Sequence, residues 1–410
     1  MGHLRNRFHP ALLMGALLAA PLAACGSSGS SSSSSSSGVA AASCDTPGIT
    51  PTQITLGDLY PLSGPTVSQR NGWGGGVRAR FDLLNDTGGV NGRKVLLIDK
   101  DDQGTASADL DGAKDLVENK QVFGILQAPI VSASSSYLTP MGIPVVGHGS
   151  DPDFAPANSN YFGTFGAFVA TAGSTAYADF IKAHGGTTVA IIAHNKPASL
   201  PAAQTFKTAA EQDGLKVGYT RLDLPFVPGD FTADAQQMKS NSVDSLYSPV
   251  ANAVSLALYK AAVQAGVTWK AFIFPNFYDP AQLKQVGGSI VGGAYTISPT
   301  APFELNLPET QKFEAAVAKY ESATPLNAFS VEGWDAAELF IEGLQKAGAC
   351  PTRAGFISAL HNDTTWNGHG TIPPVNFSKP QLCSWIVKIT STAYVPDKDP
   401  VCGKLIQAGG

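Results

Sequence analysis

His148, Ser150 and Asp151 crowd into the stretch GHGSD, where a base, a hydroxyl and a carboxylate suggest a nucleophilic triad. Residues this close along a chain do not aim at one another as nucleophile, base and orienter must, because the three have to converge on one point. The G-x-S-x-G elbow that would present a serine at a strand-to-helix turn is absent. H-E-x-x-H is absent too, and His148, His194, His361 and His369 lack metal-ligand spacing. Asp101 and Asp102 could work as acid and base, but carboxylates at a strand end ordinarily cap helices or meet water. There is no G-x-G-x-x-G to hold a dinucleotide. Gly88-Gly89-Val90-Asn91-Gly92 misses the phosphate-loop spacing, has Val95 where a hydroxyl is needed, and reads as a turn. These residues point to recognition without covalent chemistry: no enzyme, no cofactor and no metal.

The elements that would position such groups alternate. ITLGDLY, KVLLIDK and VFGIL are short β-branched runs separated by helical spacing at Val77, Phe81 and Leu84 and again over Ala113–Val117. After Gly166 the series restarts: helix Ala176–Ala183, strand VAIIAH, helix Ala203–Asp213, strand KVGYTRLDL, helix Ala235–Met238, strand SLYS, helix Val254–Ala265 and strand AFIF. Helices Glu309–Glu321 and Val331–Lys346 follow, and SWIVKIT and AYV close the chain. Alternation of this kind predicts an α/β fold with parallel sheets and helices on both faces. Two such series predict two lobes, with a cleft beyond the carboxyl ends of their strands.

At the N-terminus, Arg5 and Arg7 precede an apolar run from Ala11 to Leu22, shorter than a spanning helix needs and laid out like a secretory signal. Leu22-Ala23-Ala24-Cys25 looks like a lipobox, which makes residues 1–24 a signal peptide, Cys25 a lipidated membrane anchor and 25–43 a Ser/Gly linker. The expected location is the extracytoplasmic face of the cell envelope. The 410 residues carry 27 Lys+Arg against 32 Asp+Glu with no basic stripe, which argues against a nucleic-acid partner. Cys44, Cys350, Cys383 and Cys402 remain; in an exported chain they suggest two disulfides, for which the sequence permits three connectivities.

ITLGDLYPLSGP, LLNDTGGVNGRKVLLIDKDD, and VFGIL followed by GIPVVG resemble the type I periplasmic binding proteins of the leucine/isoleucine/valine-binding family, from about Ile49 to Val395. The resemblance implies two Rossmann-like lobes joined by three hinge crossings, near Phe162–Gly166, Ala294–Ser298 and Pro374–Lys379. Lobe 1 would be 44–165 and 298–376, and lobe 2 166–297 and 377–405. Pairing Cys44 with Cys350 and Cys383 with Cys402 then keeps each bridge inside one lobe. It further implies a monomer that closes on a small solute and hands it to ABC transporter permease subunits. A ligand-sensing receptor of the same fold and, more remotely, a secreted hydrolase are the rivals.

In amino-acid-binding relatives a hydroxyl and backbone N–H groups hold the ligand carboxylate, while an acid and tyrosines hold the ammonium. Carried over, Gln127 and Ala128 stand at the first loop, Gly149, Ser150 and Asp151 at the second, Ala198 or Ser199 at a tyrosine position, and Asn276 where the acid belongs. These departures favour an amino-acid-like, aromatic or aliphatic solute over leucine itself. Trp73, Pro129, Ile130, Phe274, Phe277, Tyr278 and Phe329 are candidates to enclose it. Gln69, Arg70, His148, Ser150, Asn252 and Asn276 would orient it, and Tyr247 and Ser248 would complete the trap. Arg70 is a candidate bidentate anchor for a carboxylate.

Overall fold

The first series folds as strand β1 (Gln53–Tyr60), helix α1 (Trp73–Asp86), β2 (Lys94–Asp101), α2 (Ala106–Lys114), β3 (Ile125–Gln127), α3 (Ser135–Leu138), β4 (Val145–Gly147) and β5 (Tyr161–Gly163). The computed structural model describes residues 44–64 and 66–407, so the leader, Cys25 and most of the linker lie outside the described residues. The five strands pair in parallel in the order β2-β1-β3-β4-β5.

After β5 the chain enters the second series. It contains β6 (Ala172–Ser174), α4 (Ala176–Ala183), β7 (Thr188–Ile192), α5 (Ser199–Gln212), β8 (Lys216–Arg221), α6 (Thr232–Ser240), β9 (Ser245–Tyr247), α7 (Asn252–Gln264), β10 (Ala271–Phe274), α8 (Pro280–Val286), α9 (Gly288–Val291) and β11 (Tyr295–Ser298). Its parallel strands run β8-β7-β9-β10-β11, the same order as the first sheet. The chain then returns to the first sheet through α10 (Pro308–Tyr320), α11 (Ala328–Lys346) and α12 (Arg353–His361). It ends on β12 (Cys383–Ile389), β13 (Tyr394–Val395), β14 (Val401–Cys402) and β15 (Leu405–Gln407).

Two features depart from an all-parallel reading. Strands β12, β13 and β14 extend the second sheet antiparallel, because the terminal hairpin needs only tight turns where a parallel strand needs a crossover. The last strand, β15, leaves that sheet and pairs antiparallel with β6.

Helix α11 packs α1 onto the first core, with Trp73, Val77 and Phe81 meeting Ala336, Ala337, Phe340 and Ile341. Close approach depends on missing side chains. A Cβ on Gly76 would lie 1.8 Å from the Ser330 carbonyl oxygen, and one on Gly333 would lie 2.2 Å from that of Trp73. Asn327 caps α11 reciprocally with Ser330, satisfying two backbone N–H groups that would otherwise be orphaned. The GGVNG stretch is a turn, with Gly88, Gly89, Asn91 and Gly92 all at positive φ. Disulfides join Cys44 to Cys350 and Cys383 to Cys402.

Candidate functional site

In both sheets the strand order reverses next to the first strand of that sheet in the chain, between β1 and β3 and between β7 and β9. Loops leaving the strands at such switch points diverge and open a crevice. Here the two crevices face one continuous cavity of about 400 Å³.

On the first-sheet side Arg70 is buried. Its Nε donates to Ala128 O at 3.1 Å, Nη1 to Gln69 O at 2.9 Å and Nη2 to Pro129 O at 2.9 Å. Nη2 also stands 3.7 Å from Asp151 Oδ2, and the guanidinium lies 5.5 Å from the Phe329 ring centroid. Three of its N–H groups are thus committed to backbone carbonyls. The fork expected to grip a carboxylate instead ties the loop after β3 to the cleft floor. Burial pushes the Asp151 carboxyl up against the opposing pull of Arg70, and its Oδ2 accepts no hydrogen bond. His148 Nδ1 donates to the buried Glu332 at 2.8 Å, and its ring meets Phe165 edge-on.

Across the cleft, His194 knits three loops together. Its Nδ1 donates to Leu224 O at 2.9 Å, its Nε2 accepts from Ala251 N at 2.8 Å, and its ring stacks on Phe226. Burial pulls its pKa down, which suits the neutral tautomer that those partners require. Ser199 Oγ donates to Pro249 O at 2.6 Å and accepts from His194 N at 2.9 Å. Lys196 also lines the cavity, and burial lowers its pKa. Its Nζ has no hydrogen bond or ion pair among the described residues.

From these loops the cavity continues into a chamber walled by β6, α4, α5, the end of β9 and the start of β12. Tyr177 and Tyr247 stack at 4.3 Å, Phe206 meets Tyr247 edge-on at 5.5 Å, and Ser384 Oγ donates to Tyr177 Oη at 3.3 Å. The charged lining residues Arg70, Asp151 and Lys196 all come from the cleft loops; the chamber walls contribute none.

Of the residues singled out from sequence, Gln69, Arg70, Ile130, His148, Gly149, Ser150, Asp151, Ala198, Ser199, Tyr247 and Asn276 line this cavity. The others lie off its wall. Trp73 is fully buried and donates to Asp58. Gln127 is buried against Asp109 and Ser134. Ala128 and Pro129 present only carbonyls, to Arg70. Ser248 pairs with Ser255, and Asn252 donates to Gln282 and to Asn276 O. Phe274, Phe277 and Tyr278 belong to the second sheet's core, and Phe329 lies beneath Arg70. Sequence reasoning passed over Lys196, Tyr177, Phe165, Phe206 and Phe226. A signal existed for Lys196, the only charged side chain in HNKPAS, directly after a strand.

Asp101 clasps the loop after β1 through Leu62 N and Ser63 N, and Asp102 accepts from Gly104 N. Burial pushes the Asp102 carboxyl from 3.8 up to about 7, with the Gly104 N–H opposing and the Asp109 charge adding to it. The native chain therefore holds a proton there that the unfolded chain gives up, and stability falls as pH rises from about 4 to about 7. The shift is worth at most about 4 kcal/mol. The unliganded protein should melt at a higher temperature at pH 5 than at pH 8. Asp102→Asn should flatten that difference in scanning calorimetry; an undiminished slope would remove Asp102 as its source.

The chain matches the family model described as "Periplasmic binding protein" over residues 53–393. Among curated proteins it is similar to Leu/Ile/Val-binding protein homolog 3 of Brucella melitensis, 26% identical over 321 residues that cover 75% of this chain and 83% of the relative. Among solved structures it is similar to a fatty acid ABC transporter substrate-binding protein from Thermomonospora curvata, with TM-score 0.72 and 20% identity over 88% of this chain and 95% of that one. A branched-chain amino acid ABC transporter structure from Thermus thermophilus with bound valine gives TM-score 0.72 and 15% identity over 86% and 97%.

Proposed function

This chain is a type I periplasmic binding protein of the leucine/isoleucine/valine-binding family, and from that premise we propose that it is the lipid-anchored solute-binding subunit of an ABC importer. The observation that carries this reading is the cavity itself, closed by loops from both sheets at the carboxyl ends of their strands. The lobes are 44–165 with 298–376 and 166–297 with 377–405, hinged where the chain passes between the sheets. A solute that touches the loops of both lobes binds the closed form better than the open one. It shifts the equilibrium by that difference in affinity, with no covalent step. The closed form is what the permease would meet.

The named ligands of the similar proteins range from valine to fatty acid, so the solute class rests on this chain's own wall. That wall combines a few charged groups with aromatic and aliphatic surface, which suits an amphipathic small molecule. A thermal-shift screen of the intact chain against amino acids, aliphatic acids and aromatic acids tests the reading, since a bound solute raises the melting temperature by mass action. No stabilisation by any class would count against it. The anchor is tested separately: Cys25→Ala should move the protein from the membrane fraction to the soluble one, and continued retention would contradict lipidation there.

A further inference from the structure

Resting on the solute-binding reading above, we propose that the solute is a monocarboxylate with an extended apolar tail, its head beside Lys196 in the cleft and its tail in the chamber walled by Tyr177, Phe206 and Tyr247. Two independent features carry this.

The first is charge. Lys196 lines the cavity half-buried; its ammonium feels the Asp151 charge across the wall but makes no hydrogen bond or contact ion pair among the described residues. An ammonium drawn out of water with no acceptor at contact range is costly, so the arrangement favours an anion beside it. Asp151 does not fill that role at contact range; its nearest cation is Arg70, at 3.7 Å. Arg70 and Lys196 thus share Asp151 across the wall, while Glu332 behind it is engaged by His148 and Asp102, which also acts on Arg70, is pushed by burial up to about 7. One bound carboxylate balances the set. A zwitterion would bring its own ammonium next to Arg70 and Lys196, with Asn276 where an acid would be needed to hold it.

The second is the chamber. Tyr177 and Tyr247 are surrounded by the second lobe yet remain partly exposed, because one side of each faces the cavity. The outer wall is built for close approach: a Cβ on Gly173 would lie 2.5 Å from Thr205 Cγ2, and β15 pairs along β6 to back it. A space with aromatic walls and no charge of its own accepts hydrocarbon. Each methylene entering it is worth about 0.8 kcal/mol, or about fourfold in affinity.

Calorimetric titration of the full chain with butanoate, octanoate, dodecanoate and L-leucine tests this. Octanoate should bind on the order of a hundredfold tighter than butanoate, and both tighter than leucine. Ala202→Trp, which fills the chamber from α5, should erase the octanoate advantage and leave butanoate binding in place. Lys196→Gln should weaken all three carboxylates about tenfold or more. If Ala202→Trp fails to fold, Tyr247→Ala decides the matter in the opposite sense, by enlarging the chamber and raising dodecanoate affinity relative to octanoate. An octanoate advantage that survives Ala202→Trp, no shift in Tyr247→Ala, or leucine as the tightest ligand overturns the inference. Binding by none of the carboxylates also overturns it. The broader reading would still stand if another solute class stabilised the protein and lost that effect in Ser150→Trp.

Discussion

A chain carrying Cys44→Ser and Cys350→Ser will lose about 5 kcal/mol of folding stability, and one carrying Cys383→Ser and Cys402→Ser about 3 kcal/mol. The two bridges differ mainly in the loop they close. Cys44 and Cys350 are 306 residues apart in sequence, whereas Cys383 and Cys402 are separated by 19. Cross-linking removes more conformations from the unfolded chain when the loop is long, and the dependence is logarithmic. The long bridge also joins the segment before β1 to the end of α11, two parts of the first core that enter it from opposite ends of the sequence. Urea unfolding of both double variants at matched m-values checks the ordering. Equal losses would mean that local packing around the bridges, not loop closure, sets their contribution.

Ser150→Trp will weaken binding of whatever solute stabilises the protein by about a hundredfold or more, while leaving the unliganded melting temperature nearly unchanged. Ser150 is exposed and lines the cavity in the loop after β4, between His148 and Asp151, so an indole there occupies solute space and displaces no core. Surface substitutions of this kind ordinarily move stability within about 0.5 kcal/mol. Ala128, the position that family resemblance favours for such a block, makes the contrast. It is fully buried and its carbonyl receives Arg70 Nε, so a large side chain there would overpack the first core and lower stability as well. Titration and thermal melting of the two variants side by side separate these effects. Unimpaired binding in Ser150→Trp would move the site out of this cavity.

Much of this protein could be read from sequence because its signals are local. The alternation of β-branched runs with helical spacing needs only neighbouring residues to be visible, and ITLGDLY, VAIIAH and AFIF all lie on buried parallel strands. Loops after those strands were therefore locatable in advance, and Gly149–Asp151, Ala198, Ser199 and Asn276 do face one cavity. The direction of a side chain within a loop is not a local property. Arg70 and Trp73 are three positions apart, yet the first reaches the cavity floor while the second turns inward to Asp58.

The order of strands and helices, the exported character of the chain and the family all follow from the sequence by itself, because period and composition survive without knowledge of distant contacts. Only the tertiary structure decided that Arg70 is spent on backbone carbonyls, that Lys196 makes no contact ion pair among the described residues, and that a chamber opens beyond the cleft. The chamber wall brings β6, α5 and β12 together and is backed by β15, segments separated by up to about half the chain. Which faces those segments present to one another depends on how two lobes pack, and no window along the sequence contains that information.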